Sequence, residues 1–288
     1  MIFRFLILVN VFSYYVLRAD CSDLTYEECI YWSGYCEWNE NTELCQNLSG
    51  GGGDDDIQFG PYQFDYLTEA DSIRESELYN GTLLYYPLDA NPPYASIVLI
   101  DAFGDEFGLQ SWARYFSSYG FIAMTIGNFD RSIRDGNSEW DYADRALGLL
   151  DAIETIKSEN TREGSPLNGK VDVNSFAVSG WSMGGGGAQL AASIDPSLKA
   201  VVGLCPWLDL NGFQDSDLFH NVPVLIFTGQ NDDIASSSEY GYMHYANTPS
   251  NTEKLYFEIE NGGHGAANAP DMAGGEIGVY ALSWLKTY

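Results

Sequence analysis

Basic residues are scarce in this 288-residue chain: 13 Lys and Arg stand against 41 Asp and Glu, a formal net charge of −28. A surface this acidic repels phosphate backbones and anionic headgroups, which argues against nucleic acid and acidic membranes as partners. It suits a protein kept soluble at high ionic strength, where salt screens self-repulsion. Histidine is scarce too: only His220, His244 and His264 occur, none of them near the clustered cysteines, and no C-x-x-C is present. That pattern argues against a metal centre, and no metal or cofactor is expected. Long apolar runs are also missing. The run from Phe5 to Phe12, preceded by Arg4, is too short for a membrane span. Residues 1–19 therefore read as a secretory signal peptide, with an uncleaved anchor as the alternative, and no membrane span is expected once it is removed.

What is present divides the chain. Hydrophobic residues make up 45% of it, enough for the core of one large domain with a small appendage. Cys21, Cys29, Cys36 and Cys45 fall within one short stretch, while Cys205 stands alone in an apolar segment as a buried thiol. Four closely spaced cysteines behind a signal peptide predict two disulfides in an oxidising compartment. Residues 20–47 then form a small cross-linked module with too few aliphatic side chains for a free-standing core. Its Tyr26, Tyr31, Trp32, Tyr35 and Trp38 form either that core or a face that stacks on carbohydrate or polymer. Residues 48–56, with four glycines and three aspartates, are a flexible, self-repelling linker. The main domain is expected over 57–288. Asn47-Leu-Ser and Asn80-Gly-Thr match the N-glycosylation pattern.

Beyond the linker, strand-like and helix-like segments alternate. Short β-like runs at 64–67 and 81–86 precede Ser96–Asp101, a helical stretch at 110–119, and Phe121–Ile126. A helix over 141–159 shows Ala146, Leu149, Leu150, Ile153 and Ile156 at helical spacing. Apolar runs at 200–204, 222–228 and 254–259 read as buried strands, and 277–288 as a closing helix. This order implies an α/β domain, a mostly parallel central sheet with helices on both faces. Ligand chemistry in such sheets lies beyond the C-terminal ends of the strands.

The segment Ser175–Gly187, S-F-A-V-S-G-W-S-M-G-G-G-G, runs from a strand into a helix through G-W-S-M-G. A G-x-S-x-G at such a junction places its serine, Ser182, on a sharp turn with the hydroxyl above the sheet. His220 precedes a strand and so sits at the wrong end of the sheet, and His244 lies in a tyrosine-rich helical stretch. His264 follows the strand at 254–259 and comes last in the chain order serine, acid, histidine. The acid is expected after the strand at 222–228, where Asp232 and Asp233 are adjacent and spacing leaves both open.

The segments G-W-S-M-G-G-G-G, P-S-L-K-A-V-V-G-L-C-P-W, V-P-V-L-I-F-T-G-Q-N-D-D-I-A and F-E-I-E-N-G-G-H closely resemble the bacterial cutinases and polyester (PET) hydrolases. These are α/β-hydrolases related to the platelet-activating-factor acetylhydrolase and dienelactone hydrolase groups. The resemblance covers about residues 57–288. It implies Ser182 as nucleophile, His264 as base and Asp232, ahead of Asp233, as the acid. It assigns the oxyanion N–H groups to Met183 and Phe103, and the walls of an apolar groove to Phe103, Trp181, Trp207 and Ile234. The chain departs from the family at Asp101-Ala102, where Pro-Gly is usual, and at Thr228 and Ala266, where some members carry a cysteine pair.

The expectation is a secreted, monomeric serine carboxylic-ester hydrolase acting on neutral apolar esters as small molecules, lipids or polyester surfaces. Hydrolysis of phospholipid acetyl esters or lactones is an alternative with the same triad. A catalytically idle binding protein on the same scaffold is a third.

Overall fold

The computed structural model describes residues 36–39, 42, 44–47, 57–128, 142–208 and 215–288. The expected signal peptide, the linker at 48–56, and Cys21 and Cys29 lie outside them. The chain divides into two units, Met1–Gly52 and Gly53–Tyr288. In the first, β1 (Cys36–Asn39) and β2 (Leu44–Asn47) pair antiparallel, with Trp38 opposite Cys45. The side chains of both cysteines and of Asn47 lie outside the description, so it includes no cysteine pairing in this unit.

The second unit is built on an eight-stranded sheet. Its strands are β3 (Phe64–Leu67), β4 (Asn80–Pro87), β5 (Tyr94–Ile100), β6 (Ile122–Gly127), β7 (Val171–Trp181), β8 (Ala200–Leu204), β9 (Val224–Gly229) and β10 (Lys254–Ile259). They lie in the order β3-β4-β6-β5-β7-β8-β9-β10. β4 runs antiparallel to β3 and to β6, while every pairing from β6 to β10 is parallel. The central parallel strands β5, β6, β8 and β9 are buried on both sides because both faces are covered, whereas β10 at the sheet edge is half-exposed. On β5, Val98 and Ile100 join one core with Met124, Val178 and Val201, whereas Ile97 and Leu99 alternate to the opposite face and are equally buried. Truncating Leu99 to Ala would cost about 2–5 kcal/mol, the lost transfer energy plus the cavity.

The covering helices are α1 (Gln110–Ser118), α2 (Tyr142–Glu159), α3 (Met183–Ile194), the short α4 (Tyr242–Asn247) and α5 (Glu276–Thr287). α2 turns Ala146, Leu149, Ala152, Ile153 and Ile156 into the core and packs on α3, which contributes Ala188, Ala191 and Ala192. α1 packs against β6 and β4, with Trp112 and Phe116 fully buried.

Register brings the working ends together. Ile100 pairs with Gly180, Gly180 with Gly203, Leu204 with Phe227, and Gly229 with Ile259. The segments that leave these strands therefore emerge side by side, and they carry Phe103, Ser182, Trp207, Asp232 and His264.

Candidate active site

Ser182 links β7 to α3 at φ 53° and ψ −118°, a left-handed conformation costly for a residue with a Cβ, on the order of 1–3 kcal/mol. The turn is held on all sides. Ser182 N–H donates to Leu204 O at 2.8 Å, and its own carbonyl accepts from Gly185 N at 2.9 Å and Trp207 N at 2.8 Å. Glycine is required where the turn closes. A Cβ on Gly184 would lie 2.3 Å from the Ile100 carbonyl oxygen, and one on Gly180 would lie 2.3 Å from the Gly184 backbone. Met183 opens α3, so its N–H belongs to the first turn, which has no intrahelical acceptor.

The loops after β9 and β10 bring the other groups in. Ser182 Oγ lies 2.9 Å from His264 Nε2, and His264 Nδ1 lies 2.8 Å from Asp232 Oδ2. All three residues are buried. Because Oδ2 is an acceptor when ionised, it selects the tautomer with the proton on Nδ1 and leaves Nε2 free to accept from the serine. The second carboxylate oxygen, Oδ1, accepts from Ile234 N at 2.9 Å and Ala235 N at 2.8 Å. Burial pushes the Asp232 carboxyl upward. The hydrogen bond and charge of His264 and the amides of Ala235 and Ile234 outweigh it and hold the group below the ordinary carboxylate range. Asp233 is exposed.

Trp181 is buried, donates its indole N–H to the His264 carbonyl at 2.9 Å, and has its ring centroid 4.7 Å from the imidazole. It thus braces the histidine from behind. Phe103 (36% exposed) and Ile234 (53% exposed) remain open to solvent, and Trp207 is half-buried with its ring stacked on Tyr240 at 6.1 Å and 21°. Cys205 is a free, buried thiol directly after β8. Burial first and the Asp232 charge second push its pKa upward, so it stays a neutral packing group.

Three neighbours of the site carry little mark in the sequence: the amides of Ile234 and Ala235, the Tyr240 ring, and Arg145, whose guanidinium donates to the Ala102 carbonyl at 2.7 Å. The amides carry no side-chain signature. Tyr240 is one of several tyrosines in its stretch. Arg145 left a trace, as a charge four residues before Leu149 on the apolar stripe of α2.

A serine on a strained strand-to-helix turn, with histidine and aspartate following on later loops of a largely parallel sheet, defines an α/β-hydrolase. Residues 58–288 match the family model described as PET hydrolase-like, and the chain belongs to that family. It is 31% identical over 212 residues to cutinase est1 of Thermobifida alba, covering 73% of this chain and 65% of that protein. It is 30% identical over 241 residues to cutinase 1 of Thermobifida cellulosilytica, covering 80% and 85%. It is 29% identical over 232 residues to a bis(hydroxyethyl) terephthalate hydrolase of Streptomyces coelicolor, covering 80% and 68%. The match thus spans just under two thirds of the length of est1, and likewise of the Thermobifida alba cutinase est2, at 64%.

Proposed function

We propose that this protein is a serine carboxylic-ester hydrolase that cleaves neutral, apolar esters through an acyl-enzyme on Ser182. The observation that carries the reading is the unbroken line Ser182 Oγ, His264 Nε2, His264 Nδ1, Asp232 Oδ2, with contacts of 2.9 and 2.8 Å. As the serine oxygen attacks the ester carbonyl, His264 takes its proton and Asp232 stabilises the imidazolium. The carbonyl oxygen becomes an oxyanion received by the N–H groups of Met183 and Phe103, each such donor worth about 3 kcal/mol of barrier. Collapse of the tetrahedral intermediate expels the alkoxide, which takes the proton from His264 and leaves as alcohol. Water, deprotonated by the same imidazole, then attacks the acyl-serine, and the acid is released as the imidazolium returns its proton to the leaving Ser182 oxygen.

The exposed Phe103 and Ile234, with Trp207, offer apolar surface for the ester, and the acidic exterior favours a neutral substrate over an anionic one. The names of the relatives, cutinase and bis(hydroxyethyl) terephthalate hydrolase, point to aliphatic and aromatic polyester units as the substrates to try first. With residues 1–19 as a signal and the four clustered cysteines paired, the protein acts outside the cell.

The test is a hydrolysis panel of short p-nitrophenyl esters, bis(hydroxyethyl) terephthalate, cutin-like polyester, a phospholipid acetyl ester and a lactone. Fluorophosphonate labelling of wild type and Ser182→Ala accompanies it. The expected result is labelling of wild type alone, with polyester units cleaved in preference to phospholipid or lactone. Equal labelling of both proteins overturns the serine assignment.

A further inference from the structure

The peptide joining Ala102 to Phe103 holds both ends of one device. The chain's cis peptide among described residues is Pro92-Pro93, so this unit is trans, and its N–H points opposite to its C=O within one plane. Whatever fixes the Ala102 carbonyl therefore aims the Phe103 N–H.

That carbonyl accepts a hydrogen bond of 2.7 Å from Nη2 of Arg145, a residue only 1% exposed on the sheet-facing stripe of α2. The same guanidinium lies over the Phe103 ring, with Cζ 5.8 Å from the centroid. On the other side of Ala102, its N–H donates to Asp101 Oδ1 at 2.5 Å. Gly104 O, one residue beyond Phe103, accepts from Asn128 N at 2.9 Å. Arg145 reaches this loop because α2 presses close to α3: a Cβ on Gly187 would lie 2.5 Å from the Arg145 Cβ. The glycine run that follows the serine thus serves the loop across from it as well.

We propose that Arg145 is a positioning residue for hydrolysis, one that orients and polarises the 102–103 peptide so that the Phe103 N–H meets the oxyanion. The proposal rests on the esterase reading above, in which that N–H is the second donor. Two physical effects act together. The charged donor fixes the carbonyl, and in a trans peptide that fixes the direction of the Phe103 N–H on the opposite side. It also draws electron density through the amide, which makes that N–H a stronger donor. Both effects grow with charge on the reacting oxygen, so Arg145 acts on the transition state more than on bound ester.

The experiment compares wild type, Arg145→Met and Arg145→Lys in kcat and KM on a p-nitrophenyl ester. It also measures inhibition by a trifluoromethyl ketone, which forms a tetrahedral oxyanion adduct with serine, and by a methylene analogue with no carbonyl. Arg145→Met is expected to lower kcat by about 10- to 100-fold with KM within about twofold, since a donor is misaimed rather than deleted. Ketone affinity should fall by the same factor, the methylene analogue should bind as before, and Arg145→Lys should recover part of the loss. Should Arg145→Met not fold, Arg145→Lys against wild type carries the comparison, with a smaller parallel fall in kcat and ketone affinity. A folded variant with reduced thermal stability but unchanged kcat and ketone affinity overturns the proposal. Failure of wild type itself to bind the ketone overturns the esterase reading instead.

Discussion

Two buried histidine sites lie at opposite ends of β9. Beyond its C-terminal end, Asp232 holds His264, and both ring nitrogens of that histidine are engaged. Before its N-terminal end, His220 Nε2 donates to Gln189 Oε1 at 2.8 Å, and the fully buried His244 has neither ring nitrogen in a hydrogen bond among the described residues. Burial pushes His220 down to about 4. Burial, then the nearby His220, pushes His244 down to about 3. The same side chain is thus placed for proton transfer where a carboxylate backs it, and locked neutral where only an amide or apolar packing does. Burial alone makes a histidine inert; the buried anion is what makes it a candidate base.

Removing the anion breaks the contrast most sharply. Asp232→Asn should lower kcat by about ten-thousandfold, because the asparagine amide can stabilise the wrong imidazole tautomer. Steady-state kinetics on a soluble ester checks this, with His220→Gln in parallel expected to stay within a few-fold of wild type. Next in size is acid stability. The N-terminal pair keeps depressed pKa values in the fold, whereas an unfolded histidine binds its proton near pH 6.5, so the stability they permit is present above 6.5 and falls as pH drops toward 4. His244→Phe should recover about 3 kcal/mol of unfolding free energy at pH 4 relative to its effect at pH 8. Urea melts at the two pH values measure it, and equal effects at both would sink the reading. A smaller change is expected at Tyr240, whose ring supports Trp207. Tyr240→Ala should raise KM about three- to tenfold on an aromatic ester while kcat changes less, an effect the size of one lost ring contact. The smallest is Asp233→Asn, within about twofold of wild type in kcat/KM, since an exposed loop charge is screened.

Much of this was legible in the residues. Apolar runs located most parallel strands to within a residue or two, since β6 spans Ile122–Gly127 where 121–126 was expected. However, β7 begins at Val171, four residues before the expected start at Ser175, because its first half is polar and half-exposed. The glycine-flanked Ser182 marked its own turn, because few other residues tolerate such close backbone approach. His264 was separable from His220 and His244 by its place after a strand. The choice between Asp232 and Asp233 was not available from spacing, as adjacent side chains in a loop diverge and only packing decides which one is buried. Arg145 was harder still. Its partner is a main-chain carbonyl 43 residues away, and backbone acceptors leave no mark in a sequence.

The amino-acid sequence by itself determined the order and kind of elements, the serine turn and the acidic exterior, since these follow from local periodicity, glycine placement and composition. Only the tertiary structure decided which groups meet. The serine, histidine and aspartate contacts join residues 82 and 32 positions apart, and the register of β7, β9 and β10 sets their separation. Convergence of that kind depends on distances across the sheet, which one-dimensional spacing does not encode.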